Sequence, residues 1–279
     1  MSKSQRFVVA FAGSAVAVEV ESPRAAALVD FVVPIELCVG MQGDPAPHCT
    51  LRVSTLPGVD GEPPAYTIYR DDVVLYQTAN EGDLAEYLQS QLCRQLATES
   101  RGGLLFHAAG MVTPDGCGVL IPGGIGAGKS TLTAWLLWRG LDYMTDELVY
   151  FPWGVDLLQP YTRPLHLKRP STHVLRQMGI IDLDNLPAGV LSGTHSALAP
   201  ASLIRQGNDP GPTSLRVALF PAYQPEAVPL FEPLSPAQTA QCLLQSLTNA
   251  RNLPDHGFHE AVRLARGAAG YRLVYSHFS

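Results

Sequence analysis

Hydrophobic and polar positions follow two rhythms along the chain, and the change near residue 100 divides it. Before that point the apolar runs are short and strand-like. Residues 7–11 and 15–20 flank Gly13-Ser14, and residues 66–69 and 73–76 are joined through Arg70-Asp71-Asp72, so each pair predicts a hairpin. Residues 40–64 are rich in Pro and Gly without periodicity, which predicts a loop. Leu84, Tyr87, Leu88, Leu92 and Leu96 then fall on one helical face, with Asp83 able to cap the start and Gly102-Gly103 ending it.

From Leu104 onward strands alternate with helices. Residues 104–109 and 118–121 read as buried strands linked by a turn at Pro114-Asp115-Gly116, and 130–139 as a helix stopped by Gly140. One further strand is expected over 143–151, and a long connection over 185–214. Ser235-Pro236 opens a helix reaching about residue 249, another covers 256–267, and 271–275 forms a closing strand. The pattern predicts an α/β domain over 101–279, preceded by a β-rich region with one helix over 1–100, which we expect to be a recognition platform.

Composition narrows the class. Of 279 residues, 46% are apolar and 16% charged, against a usual charged share of about 25%, so the chain is globular rather than disordered. A net charge of −6 argues against nucleic-acid binding through a basic surface. No apolar run approaches the roughly 18 residues of a membrane span, and the first residues lead into a strand rather than a signal-peptide core. Five scattered cysteines with no C-x-x-C pair suit a reducing compartment, and the expectation is a soluble cytoplasmic protein of unassigned oligomeric state. Only three of the 19 basic residues are lysines: Lys3, Lys129 and Lys168. A genome favouring Arg codons explains the bias, which makes the retained lysines worth placing.

One of them sits in a motif. Gly123-Gly124-Ile125-Gly126-Ala127-Gly128-Lys129-Ser130, followed by Thr131, satisfies G-x-x-x-x-G-K-[ST] between a predicted strand and a predicted helix. Glycines let the backbone curl so that its N–H groups face phosphate oxygens, and the helix N-terminus adds positive potential. Lys129 can reach the β- and γ-phosphates of ATP, and the Ser130 hydroxyl can ligate Mg²⁺. Asp146-Glu147 follows sixteen residues after Ser130, where the end of a second strand would return to the same edge of the sheet. One carboxylate there could hold Mg²⁺ and another could take a proton from an attacking hydroxyl; residue type alone leaves open which does which. The close spacing, with no L-S-G-G-Q and no N-K-x-D segment, argues against a transporter-type ATPase and a small GTPase.

Phe106-His107-Ala108-Ala109, the 118–121 strand, the loop through Thr131, and Thr145-Asp146-Glu147-Leu148-Val149 together resemble the HPr serine kinase/phosphorylase family, nearest its shorter HPr-kinase-related branch. Residues 160–168 and the 271–276 segment resemble further parts of that branch. The resemblance implies a phosphoenolpyruvate-carboxykinase-like P-loop core with a mixed sheet, and ATP-dependent transfer to a hydroxyl, often serine. By position, His107 matches the family histidine beside the carboxylates, and Asp146 and Glu147 match the carboxylates themselves. Glu147 departs from the usual second Asp by one methylene. The HPr-specific C-terminal signature is missing, so the implied acceptor is another peptide, such as a lasso-peptide or other ribosomal precursor, or a small molecule. The expected site therefore comprises His107, Lys129, Asp146 and Glu147 as catalytic groups, residues 123–131 on ATP, and Ser130 with Asp146 on Mg²⁺. Arg163, His166 and Lys168 are candidates for binding acceptor or phosphate. An ATP-dependent switch protein and a phosphoserine phosphorylase are the alternatives.

Overall fold

A computed structural model describes residues 4–39, 45–58, 63–124, 126–182, 185, 187–207 and 210–277. The chain begins with β1 (Gln5–Phe11) and β2 (Ser14–Val20), the expected hairpin. Next comes α1 (Pro23–Val32), absent from the sequence reading although Ser22 caps it and Pro23 occupies its first turn. Ala25, Leu28, Val29 and Val32 form its buried face, at the helical spacing that could have revealed it. There follow β3 (Cys38–Val39), β4 (Thr50–Leu56), β5 (Ala65–Arg70), β6 (Val73–Thr78) and α2 (Glu81–Glu99). Strand β4 lies inside the stretch expected to be a loop. It is central, parallel to β2 and antiparallel to β5, with Leu51 and Val53 fully buried. Among its described residues the N-terminal region thus has two α-helices, not one, on a six-stranded sheet ordered β3-β1-β2-β4-β5-β6. The cap of α2 is Asn80, whose side chain accepts from the Asp83 amide; Asp83 itself bonds Thr194 across the fold.

The remainder contains β7 (Gly103–Val112), β8 (Gly118–Pro122), α3 (Lys129–Trp138), β9 (Asp142–Thr145), β10 (Leu148–Pro152), β11 (Leu157–Pro160), β12 (Leu165–Lys168) and α4 (Arg169–Gln177). Then come β13 (Leu191–Ser192), β14 (Ser196–Ala199), β15 (Thr213–Tyr223), β16 (Leu230–Leu234), α5 (Pro236–Gln245), α6 (Phe258–Gly267) and β17 (Ala269–Tyr275). The expected 185–214 connection carries β13 and β14, which join β12 in a three-stranded sheet. The main sheet runs β11-β10-β7-β8-β15-β17-β16, with β9 also on β7; β8, β15 and β17 are mutually parallel and the other pairings antiparallel, so the sheet is mixed.

Two features of this sheet position the site. Residues 143–151 are two strands, not one: β9 pairs with the far half of β7 and β10 with its near half, and the chain turns between them at Asp146-Glu147. The turn is fixed by Thr145, whose hydroxyl donates to the Tyr161 carbonyl at 2.7 Å, and by Ala108 N–H donating to the Glu147 carbonyl at 3.0 Å. Strands β8 and β9 flank β7 on opposite sides and point the same way, so both C-terminal ends reach the His107–Gly110 stretch. Alternation along β7 does the rest. Leu104, Phe106 and Ala108 face a core closed by α5 and α6. On the opposite face, Leu105 enters the core shared with the N-terminal sheet, whereas Ala109 and Met111 enter the core beneath α3 and α4. His107 falls between them, at the seam of two cores, and remains half-buried.

Candidate functional site

The loop after β8 has the geometry its glycines require. Gly126 and Gly128 have φ values of +87° and +84°, in the left-handed region, and Gly128 is the N-cap of α3. A Cβ on Gly128 would lie 2.0 Å from the Tyr275 hydroxyl, which itself donates to the Gly128 carbonyl at 3.2 Å. The loop is therefore braced by the final strand. Lys129 is buried at 7% exposure, and its ammonium donates to the loop carbonyls of Gly123 and, at 3.3 Å, Gly124. Burial pulls its pKa below the ordinary value, while Glu147 and Asp146 oppose that shift. Ser130 is half-buried. The Thr131 hydroxyl is spent on Ser171 of α4, 2.8 Å away. Ile125 lies outside the described residues.

At the turn after β9 the two carboxylates diverge. The Asp146 side chain is wholly enclosed and takes three hydrogen bonds: from Arg163 Nε at 2.9 Å, the Tyr143 hydroxyl at 3.2 Å, and the His166 backbone N–H at 3.2 Å. Burial alone would raise its pKa, but the Arg163 charge and hydrogen bond and the His166 N–H outweigh it, so the group is held ionised below the usual value. Glu147 keeps 27% of its side chain exposed and takes the other arm of the same guanidinium, Arg163 Nη2, at 2.9 Å. Its Oε2 lies 3.8 Å from His107 Nε2. Burial lowers the His107 pKa; Glu147 resists, and the charges of Lys129 and Arg163 add to the lowering, so the imidazole is neutral at pH 7. Arg163 is 7% exposed, and its charge, disfavoured by burial, is fixed by both carboxylates.

The structure thus brings His107, Lys129, Asp146, Glu147 and Arg163 into one electrostatically linked group. The other two basic candidates lie at the edge of this group. His166 and Lys168 share the outer face of β12, opposite buried Leu165 and Leu167, as alternation predicts. The His166 ring turns to Glu86 of α2, with Nε2 3.0 Å from Oε1. Lys168 is exposed, and its charge is felt at Lys129. Among the described residues no group of three His, Cys, Asp or Glu side chains is arranged to hold a metal, and no helix is long and apolar enough to cross a membrane.

No family model and no curated protein matches the chain. Among solved structures it is similar to the HPr(Ser) kinase/phosphatase from Coxiella burnetii, at 16% identity, with 62% of this chain and 79% of that chain covered and a TM-score of 0.27.

Three of those residues escaped the sequence reading. Tyr143 bridges Asp146 and the Arg163 carbonyl, the latter at 2.9 Å, and Tyr275 braces the loop. Asn249 is fully buried: its carbonyl oxygen accepts from Leu105 N–H at 3.0 Å, and its amide donates to Ser100 and to the Gly103 carbonyl. A polar amide just after an apolar helical run was the only available signal for it.

Proposed function

We propose that this chain is a Mg-ATP-dependent kinase that transfers the γ-phosphoryl group to a hydroxyl, most simply the serine of a peptide or a small molecule. The observation carrying the proposal is the partly exposed Glu147 carboxylate, held by Arg163 at 2.9 Å with its Oε2 3.8 Å from His107 Nε2. Binding alone does not require a poised carboxylate and imidazole there.

Each residue then has a role. The N–H groups of the loop and of the first turn of α3 would receive the β- and γ-phosphates. Lys129 exchanges its bonds to the Gly123 and Gly124 carbonyls for bonds to phosphate oxygens, which are stronger acceptors for an ammonium. Glu147 takes the acceptor proton, a contribution of about 10²–10⁴ in rate, and His107 orients the hydroxyl through its neutral ring. Arg163 holds Glu147 in place, with Asp146 as its buried counter-charge. Ser130 offers Mg²⁺ a hard oxygen donor, whereas Asp146 is enclosed by three donors and so is better suited to anchoring Arg163 than to direct ligation. When bound, the ion would neutralise charge on the phosphates.

The test is transfer from γ-labelled ATP to hydroxyl acceptors. Lys129→Ala and Glu147→Gln should each lose at least about 100-fold. Undiminished transfer in both would overturn the proposal, and ATP turnover without a labelled product would favour a nucleotide-driven switch.

A further inference from the structure

The strand order of the main sheet fixes which way a nucleotide must run across the phosphate loop. Strand β8, which leads into the loop, lies between β7 and β15. Asp146 and Glu147 come from the turn between β9 and β10, both paired with β7, so they stand on one side of the loop. On the other side β15 and β17 run parallel to β8, and their last residues, Tyr223 and Tyr275, are in register with each other. A triphosphate whose γ-phosphate faces Glu147 therefore sends its ribose and base over the C-terminal ends of β15 and β17, where open α/β sheets take their ligands.

An aromatic ring stands there. Tyr223 is 45% exposed, and its Cβ lies 3.2 Å from where a Cβ on Gly128 would stand, so the side chain begins at the loop itself. Its ring packs against that of Tyr275 with centroids 5.6 Å apart and planes tilted by 59°. Tyr275 is the fixed member of the pair, buried and with its hydroxyl donating to the Gly128 carbonyl. A second exposed aromatic pair, Phe231 stacked on Tyr271 at 4.7 Å, lies four residues back along β17, about 13 Å from the loop end. Of the two, Tyr223 is the one within reach of the phosphates.

Polar groups beside this ring are engaged with one another. Gln224 N–H donates to the Tyr275 carbonyl at 2.9 Å and Ala227 N–H to the Gln224 carbonyl at 3.2 Å, and the Ser276 hydroxyl donates to the Ala227 carbonyl at 3.0 Å. The turn after β15 is thus closed onto the end of β17, and what Tyr223 offers is a ring face rather than a pattern of donors and acceptors. Stacking on such a face tolerates any base, because every base has a π-face of its own.

We propose that Tyr223 is the nucleobase platform of the phosphate site, and that it holds the base by stacking without reading its identity, so that GTP serves as phosphoryl donor as well as ATP. This rests on the kinase reading above and names its donor class, the purine nucleoside triphosphates. The transfer itself is the same for either donor. The acceptor oxygen bonds the γ-phosphorus and the bond from that phosphorus to the bridging oxygen breaks. The nucleoside diphosphate leaves with the electron pair, and the acceptor proton passes to Glu147.

The experiment is calorimetric titration, with Mg²⁺ present, of ATP, GTP and ribose 5-triphosphate, the same ligand without its base. In the wild type ATP and GTP should bind within about fivefold of each other, and ribose 5-triphosphate at least about fivefold more weakly than either, the low end of what one stacked base contributes. Tyr223→Leu keeps apolar bulk against Tyr275 but removes the π-face, so within that variant the gap between ATP and ribose 5-triphosphate should close. Tyr223→Trp, with a larger face, should keep or widen the gap. Equal affinity for ATP and ribose 5-triphosphate in the wild type, a gap that survives in Tyr223→Leu or one that closes in Tyr223→Trp would overturn the platform. A larger preference for ATP over GTP would overturn its tolerance of the base. A wild type that binds none of the three ligands would instead overturn the kinase reading.

Discussion

Removing Arg163 should turn the most enclosed charge of the site from an asset into a burden, with a recognisable pH signature. Arg163 and Asp146 have side chains 4% and 0% exposed and meet at 2.9 Å. At an effective dielectric constant of about 20 their attraction is roughly 6 kcal/mol before desolvation. Arg163→Gln leaves the Asp146 carboxylate buried with only Tyr143 and the His166 N–H, so about 3–5 kcal/mol of stability should go, much of a typical domain's reserve of about 5–15 kcal/mol. In the wild type the Asp146 pKa is depressed below 3.8. Its contribution is therefore present above that value and is lost only as pH falls through the lower, folded-state value. Without Arg163, burial raises the pKa above 3.8, so the carboxyl group stabilises most at low pH and that stabilisation is lost as pH rises through the raised value. Urea unfolding followed by tryptophan fluorescence, at intervals from pH 3.8 upward, would show the variant's deficit growing with pH. Asp146→Asn/Arg163→Gln should recover most of the loss and remove its pH dependence. Strictly additive single-variant losses, or a deficit flat across pH, would refute the reasoning.

Other outcomes follow from the same geometry. Gly128→Ala should cost about 1–3 kcal/mol and weaken nucleotide binding, because the new Cβ meets the Tyr275 hydroxyl at 2.0 Å and φ is +84°; Tyr275→Phe in that background should restore part of the stability, read by thermal melting. Asn249→Ala, which strands the buried Leu105 N–H, should cost about 1–3 kcal/mol in urea unfolding. Since burial depresses His107, the acid limb of transfer activity should lie below pH 6.5, and a limb at or above that value would count against a neutral imidazole in the mechanism. Lys168→Ala, removing an exposed charge that Lys129 feels, should leave stability within about 0.5 kcal/mol and raise KM for ATP, checked by melting and steady-state kinetics.

The site was readable in the sequence where one local rule fixes position. The loop from Gly123 to Ser130 combines turn chemistry with a helix start, and the short reach to Asp146-Glu147 brings the carboxylates back to the same edge. What was not readable depends on long-range placement. Nothing local to Arg163 indicates that it closes on Asp146, 17 residues earlier in the chain, and it lies before β12, whose alternation places only His166 and Lys168. Residues 143–151 read as one apolar strand because the break between β9 and β10 comes from Thr145 reaching Tyr161, a tertiary contact. Strand β4 was hidden because its Pro/Gly-rich flank masks a half-buried alternation that becomes meaningful only once β2 and β5 enclose it. Helix α1 is different: its Ser-Pro start and apolar spacing were present and passed over.

The bracing of Gly128 by Tyr275 has a consequence for how the protein is made. The two residues are 147 positions apart. At about 5–20 residues per second of synthesis, the phosphate loop leaves the ribosome roughly 7–30 s before its brace does. During that interval β8 also lacks its parallel neighbour β15, and β15 lacks β17. A nascent chain therefore carries the whole glycine-rich loop before the strand that braces it, and the loop can reach its finished geometry only once Tyr275 has been made.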